Sequence, residues 1–213
     1  MSILCDIKYK NGHFEESTGN ARPLFANNQS SEFDPDILIE DGIKCFYIDG
    51  TTGGHISFNP LSNNFYNTFS ILVKCKLNRL AFIYFDESAN LFWLGYDYDD
   101  GYNLNMGIFG TILAARALQN NIPNEIDQYG WNTWLLTFNQ GYVNIFINKT
   151  NIFSGYTDNK PINPMSPSTL LFQWPQSSKY NVYGSIGYLN RFLVTDYIIN
   201  PTSYIVNNLK IGD

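Results

Sequence analysis

Turn-forming residue pairs recur along most of the sequence and separate short apolar runs. Asn11-Gly12 follows the run Ile3–Tyr9, and Asp41-Gly42 divides Ile37–Glu40 from Ile43–Ile48. These pairs favour tight hairpin turns, because asparagine, aspartate and glycine tolerate the positive φ angles that such turns need. Apolar runs at roughly 8–12-residue spacing, bounded by such turns, predict many antiparallel strands in a sandwich or a barrel.

The alternation expected of a half-buried strand is clearest in Tyr142–Asn148. Here Val143, Ile145 and Ile147 fall on one side, and the residues between them form a mixed face. We therefore expect these three apolar side chains to be buried between two sheets.

Two segments carry helix signals instead. Thr111–Asn120 opens with a threonine that can cap a helix, and good helix formers follow it. Asn200–Lys210 combines a capping Asn200 with Pro201 in the first helical position. The sequence thus predicts an all-β fold, a two-sheet antiparallel jelly-roll sandwich with one or two short helices. We expect residues 1–213 to form a single domain.

The composition limits the class of partner. Aromatic residues make up 16% of the chain and charged residues only 15%, with a net charge of −6. An acidic surface repels phosphate, so nucleic acid and anionic membrane surfaces are poor partners. No apolar run approaches the ~20 residues of a membrane-spanning helix, so we expect no membrane insertion. The N-terminus enters a strand without a signal peptide, which favours synthesis in a cytoplasm.

The three cysteines and two histidines offer little chemistry. Cys5, Cys45 and Cys75 lie in separate apolar runs, so we expect small buried side chains that stay reduced. His13 and His55 have no nucleophile motif nearby, which favours ordinary polar roles over a catalytic triad or a metal site.

A Gly-Trp pair followed by an apolar strand occurs in Gly130–Phe138, and Val143–Asn148 supplies a following strand and hairpin. This pattern resembles that of the concanavalin A-like (laminin-G-like) lectin and glucanase superfamily. Gly184–Val194 resembles its closing strands, and Thr68–Lys74 resembles an earlier strand of the sheet. Lys149 departs from the family, which usually has glycine there. The resemblance implies the fold and leaves the ligand open.

The glucanases of that superfamily use two glutamates that flank an aspartate on one strand. Glu32–Asp36 comes nearest to this pattern, but it ends in aspartate and contains Pro35, which cannot donate to a central ladder. Asp86-Glu87 lacks a partner at alternate spacing. Because retaining hydrolysis needs two carboxyls about 5 Å apart, we predict no catalytic residues and no enzyme activity.

An acidic, tyrosine-rich segment, Tyr96–Asn103, is the first candidate for ligand contact. Tyrosine rings stack on sugar C–H faces, while aspartate and asparagine bond hydroxyl groups. Trp174, before a Gln-Ser-Ser loop, is a second candidate, whereas Trp131 and Trp134 are interpreted as structural anchors. The predicted ligand-binding residues are Tyr96, Asp97, Tyr98, Asp99, Tyr102, Asn103 and Trp174.

These features favour a non-catalytic module that binds carbohydrate or a cell-surface receptor, in the setting of a phage virion such as a tail fibre, receptor-binding or head fibre protein. One alternative is a structural virion component that contacts only other virion proteins. Another is a divergent glycoside hydrolase. Fibre proteins are usually trimers, so a homo-oligomer fits the first reading.

The sequence predicts no required cofactor, but Ca²⁺ is the ion that Tyr96–Asn103 would suit. Asp97, Asp99 and Asp100 repel one another, and no lysine or arginine occurs between Arg79 and Arg116. If Ca²⁺ offsets this charge, EDTA lowers the melting temperature and excess Ca²⁺ restores it, because the ion binds only the folded state. Asp99→Asn then abolishes the response. A melting curve that ignores both additions identifies a solvated hairpin tip.

Overall fold

The structure, a computed structural model, describes residues 1–19, 21–25, 37–49, 54–58, 68–79, 84–85, 92–97, 103–108, 111–112, 122–127, 129–156, 169–171 and 186–203. These residues form strands joined by turns and contain no helix. The strands are β1 (Ile3–Lys10), β2 (His13–Glu16), β3 (Ala21–Phe25), β4 (Ile37–Glu40), β5 (Ile43–Asp49), β6 (Gly54–Phe58), β7 (Thr68–Arg79), β8 (Tyr84–Phe85), β9 (Phe92–Asp97), β10 (Asn103–Ile108), β11 (Thr111–Ile112), β12 (Trp131–Asn139), β13 (Tyr142–Ile147), β14 (Thr150–Tyr156), β15 (Thr169–Leu171) and β16 (Ile186–Thr195).

The strands form two sheets in which every pairing is antiparallel. The nine-stranded sheet has the order β14-β13-β12-β7-β16-β1-β2, with β5 also paired to β16 and β4 to β5. The seven-stranded sheet has the order β11-β10-β9-β8-β15-β6-β3. This all-β, two-sheet arrangement confirms the predicted antiparallel sandwich.

One strand, β16, organises the larger sheet. It pairs with β7 along one side, and along the other it pairs first with β5, as far as Leu189, and then with β1 from Arg191 onward. Asn190 lies where β16 changes from β5 to β1, and the register with β7 also shifts at this residue. Its side chain is buried. Its side-chain amide donates to the Lys44 carbonyl at 2.8 Å, which supplies a hydrogen bond where the ladder is interrupted.

The inner face of the nine-stranded sheet is apolar. Val143, Ile145 and Ile147 have no exposed surface, which confirms the burial predicted from their alternation. The three cysteines are also buried and unpaired, as expected. Burial raises the pKa of the Cys45 thiol to about 11 and that of Cys75 to about 12, so both thiols stay protonated near neutral pH.

A second apolar cluster lies on the outer face of the same sheet. Leu72, Leu135 and Leu193 are cross-strand neighbours, and Ile199 packs against them from the segment that follows β16. Ser70 anchors that segment, because its hydroxyl donates to the Tyr197 carbonyl at 2.8 Å and accepts from the Ile199 amide at 2.9 Å. The segment therefore covers the centre of the outer face.

The helix predicted to begin at Thr111 is not found at that residue, whereas Asn200 caps a turn. Thr111 begins no helix, since Thr111–Ile112 pairs as a strand with Gly107–Ile108. Cross-strand hydrogen bonding to β10 outweighs the local capping signal. Asn200 does cap a turn, because the Thr202 amide donates to Asn200 Oδ1 at 2.9 Å. Residues 113–120 and 204–210 lie outside the described part of the chain.

Among the described residues, no helix is long and apolar enough to cross a membrane.

Lys149 shows how the chain accommodates its departure from the family pattern. Asn148 and Lys149 form the turn between β13 and β14 with φ angles of 48° and 77°. Both values are positive, as a tight hairpin requires, although lysine rarely adopts them. The Asn148 side chain supports the turn, since its Oδ1 accepts from the Thr133 amide at 2.9 Å.

A buried carboxylate ties β1 to β16. Asp6 has only 4% of its side chain exposed, and Arg191 donates to both of its oxygens, at 2.8 and 3.1 Å. Lys8 adds a third bond at 2.7 Å. Burial alone would raise the pKa of Asp6, but the bonds from Arg191 and Lys8 outweigh burial and hold that pKa below its usual range.

Removing the arginine tests this network. Arg191→Met leaves a buried carboxylate bonded only to the Lys8 amine and the Ser17 hydroxyl, so we expect the free energy of unfolding to fall by about 3 kcal/mol in urea denaturation. Lys10→Met is the matched control, because Lys10 and Glu15 form a more exposed pair, with side chains 53% and 24% exposed. Its loss should cost much less, because solvent screens an exposed pair. Equal losses would contradict this account.

The lowered Asp6 pKa also fixes the sign of the acid response. The carboxylate contributes stability at pH values above its unfolded pKa of about 3.9, and this contribution disappears as the pH falls through the folded pKa. The Arg191→Met variant should therefore lose less stability than the unmodified protein when the pH is lowered below about 4.

Candidate functional site

The two ends of the acidic, tyrosine-rich segment lie on paired strands of the seven-stranded sheet. Asp97 pairs with Asn103, and Tyr96 pairs with Leu104, so the backbone brings the two ends of the segment together. The side chains of Tyr96, Asp97 and Asn103 lie outside the described part of the structure. Tyr98, Asp99, Tyr102 and Trp174 lie outside it entirely. Their role as ligand contacts stays a prediction.

A different set of side chains forms a row across the outer face of the nine-stranded sheet. Trp131 on β12 pairs with Lys76 on β7, Lys76 pairs with Tyr188 on β16, and Tyr188 pairs with Tyr47 on β5. Cross-strand partners project from the same face, so these four residues form one line across four strands. We call it the cross-strand row. At ~4.8 Å per strand its backbone positions span about 14 Å.

The three aromatic rings of the row differ in how far solvent reaches them. Tyr47 is 40% exposed, whereas Tyr188 and Trp131 are half-buried. The centroids of the Tyr47 and Tyr188 rings lie 5.1 Å apart with a tilt of 46°. Trp131 has a buried indole N–H with no hydrogen-bond partner among the residues that the structure describes. The row is therefore an aromatic surface with one exposed end at β5.

Charged groups flank this aromatic surface. Lys76 Nζ lies 6.0 Å from the centre of the Tyr188 ring, 2.5 Å from Glu40 Oε1 and 2.7 Å from Asp41 Oδ2. Hydrogen bonds to Asp41 and Glu40 raise the Lys76 pKa, so this amine stays protonated. Burial and the nearby Glu40 raise the pKa of Tyr188, which keeps its phenol neutral. The site offers charged donors and acceptors beside neutral rings.

The turn of the β4–β5 hairpin holds the two carboxylates in place. Asp41 and Gly42 have φ angles of 53° and 78°, the conformation that the Asp-Gly pair predicts. Because both carboxylates bond Lys76, they are poor candidates for a general acid or base. Among the residues that the structure describes, no group of three or more His, Cys, Asp or Glu side chains could hold a metal ion. Glu32–Asp36 and Asp86-Glu87 lie outside this part of the chain.

Trp131 is positioned by the motif that carries the family resemblance. The Asn132 side-chain amide donates to the carbonyls of Asp127, at 2.8 Å, and Gly130, at 3.1 Å, and its Oδ1 accepts from Asn148 at 2.6 Å. A Cβ at Gly130 would lie 3.1 Å from Asp127 Oδ2 and 3.3 Å from the Asp127 carbonyl oxygen, so a larger residue would require small shifts there. Trp134 is buried, as its interpretation as a structural anchor requires.

Sequence reasoning missed the cross-strand row as a unit. Its members lie on four strands, and only the register between those strands places them side by side. Two local signals were present: Asp41-Gly42 predicted the turn that carries the carboxylates, and the Gly-Trp pair marked Trp131. Neither signal indicates that Tyr47 and Tyr188 are neighbours.

The fold is that of a β-sandwich, and many solved structures have a similar fold. Domain 4 of a GH43 extracellular arabinanase from Geobacillus stearothermophilus, solved with arabinotriose, matches 94% of this chain and 95% of its own, with a TM-score of 0.64 and 14% identity. The binding domain of botulinum neurotoxin serotype D/C matches 98% of this chain with a TM-score of 0.69 and 16% identity.

A structure of the botulinum neurotoxin type C, whose cell entry depends on interaction with two ganglioside molecules, matches with a TM-score of 0.68 and 15% identity. The chain spans about half the length of these toxin structures, 52% in both cases. No family model matches the sequence, and no curated protein does. At these identities the likeness extends to the fold.

Proposed function

We propose that this domain is a non-catalytic carbohydrate-binding module. The cross-strand row carries the proposal, because it combines aromatic rings for stacking with hydrogen-bonding groups at their rim. Binding sites for small ligands typically combine these two features. Tyr47 and Tyr188 form the stacking surface, and Lys76, Glu40 and Asp41 bond the hydroxyl groups of the sugar. A surface about 14 Å long accommodates a short oligosaccharide rather than a single sugar.

The comparisons support this class of ligand. The arabinanase domain, which matches nearly the whole of this chain, was solved in complex with a trisaccharide. The type C neurotoxin depends on gangliosides, which are glycolipids, although this chain spans only about half of that structure. A non-catalytic role agrees with the ion pairing of Glu40 and Asp41 to Lys76.

The predicted loop contacts form a separate part of the proposal. Asp97 and Asn103 end a hairpin of the seven-stranded sheet, whereas the cross-strand row lies on the nine-stranded sheet. We propose that Tyr96–Asn103 and Trp174 add contacts to glycan or receptor at that second location, with Ca²⁺ as the ion that the acidic segment would suit. We also propose a phage virion as the setting, with which the composition is compatible. Sedimentation measurements would test whether the protein forms the trimer expected of a fibre protein.

Tyr47→Ala tests the row. The substitution removes the most exposed ring of the cross-strand row. We therefore expect binding to become about tenfold weaker, or about 1.4 kcal/mol, for the oligosaccharide that binds most tightly on a glycan array. Isothermal titration calorimetry measures the change. Tyr47→Phe is the matched control, because it keeps the ring and should retain most of the affinity. An array with no binding oligosaccharide, or Tyr47→Ala binding as tightly as the unmodified protein, would contradict the proposal.

A further inference from the structure

A second aromatic pair, with one exposed and one half-buried ring, lies at the opposite edge of the nine-stranded sheet. Tyr142 and Tyr156 are cross-strand partners on β13 and β14, with ring centroids 4.7 Å apart and an interplanar angle of 65°. Tyr156 is 77% exposed, the most open aromatic ring in the described part of the chain. The two rings together form a small aromatic patch at the sheet edge, and aromatic surfaces of this kind suit contact with a ligand.

Next to the tyrosines, a chain of neutral polar groups crosses the same face. The Asn151 side-chain amide donates to Ser154 Oγ at 2.9 Å, and the Ser154 hydroxyl donates to Asn144 Oδ1 at 2.8 Å. The Asn144 amide then donates to Thr137 Oγ1 at 3.3 Å. These bonds hold the exposed Asn151 and Ser154 side chains in fixed orientations, which reduces the entropy lost on binding a ligand.

The strand register sets the distance between the rings and the polar chain. Asn144 pairs with Ser154, two residues along from the Tyr142–Tyr156 pair, so both pairs project from one face about 7 Å apart. A sugar ring stacked on Tyr156 would therefore bring its hydroxyl groups beside Ser154 and Asn144. Asn144 and Ser154 keep free acceptor positions for those hydroxyls, because each oxygen has two lone pairs.

The charge of this edge selects among sugars. Neither β13 nor β14 contains a charged residue. The turn between them carries Lys149, at the opposite end of the strands from Tyr142 and Tyr156. A carboxylated or sulfated sugar stacked on Tyr156 would therefore find no cation on these strands to replace its hydration, whereas a neutral sugar needs only the donors and acceptors present.

This location is distinct from the cross-strand row. Tyr142 on β13 pairs with Asn139 on β12, and Asn139 pairs with Thr68 on β7. The cross-strand row crosses β7 eight residues away, at Lys76. The two places are separated by roughly 30 Å along and across the sheet, and the segment carrying Ile199 covers the face between them. One short oligosaccharide cannot reach both.

We propose that Tyr142, Tyr156, Asn144, Ser154 and Asn151 form a second, independent binding site for neutral hexose- or pentose-containing oligosaccharides. The domain then holds two glycan sites on one face, and a long polysaccharide or a glycan-coated surface can engage both. Simultaneous engagement raises the apparent affinity for such surfaces far above that of either site.

The test is a nuclear magnetic resonance titration of the ¹⁵N-labelled protein with four neutral trisaccharides: arabinotriose, maltotriose, cellotriose and laminaritriose. We expect at least one of them to shift the amide signals of Ser154, Gly155 and Tyr156. Tyr156→Ala should weaken that response at least tenfold, and because Tyr156 is so exposed the variant should keep its melting temperature. Ser154→Ala should weaken it several-fold. A sialylated trisaccharide should leave these signals unchanged.

Two variants separate this site from the cross-strand row. Tyr47→Ala should leave the shifts at β14 unchanged, and Tyr156→Ala should leave any shifts at Tyr188 and Lys76 unchanged. If none of the four trisaccharides shifts the β14 signals, or if Tyr156→Ala responds as the unmodified protein does, the second site does not exist. Neither outcome bears on binding at the cross-strand row, which the Tyr47→Ala variant tests separately.

Discussion

The register of β7 between β12 and β16 is the constraint on which the rest of the larger sheet depends. Val73 pairs with Trp134 on one side and Phe192 on the other, and all three point into the core. Leu72, one residue earlier, pairs with Leu135 and Leu193 on the outer face. A slip of one residue would exchange these two sets and would turn the charged Lys76, which lies on the outer face with Leu72, towards the apolar core. Both faces therefore resist the same slip.

This register also builds the surfaces proposed for binding. Because Lys76 lies four residues beyond Leu72 on β7, it projects from the same outer face, with Trp131 and Tyr188 on either side. At the far edge, the pairing of β13 with β14 brings Tyr142 beside Tyr156. Packing in the core thus determines which aromatic rings become neighbours on the outside.

Local signals in the sequence predicted local structure well. Val143, Ile145 and Ile147 alternate along one strand, and their burial follows from that alternation alone. Asp41-Gly42 sits in the turn that its residues favour. Thr111 was the exception, because its capping signal competed with strand pairing to β10, which no nearby residue reveals. The cross-strand row could not be predicted, since its members are distant in sequence and become neighbours only through the order of the strands.

A crystal structure of the domain with its tightest neutral oligosaccharide tests the central claim most directly. The account predicts sugar density on the outer face of the nine-stranded sheet, with a ring stacked on Tyr47 or Tyr188 and hydroxyl groups within hydrogen-bond distance of Lys76, Glu40 or Asp41. Sugar bound only at the loops of the seven-stranded sheet, with the outer face empty, would contradict it.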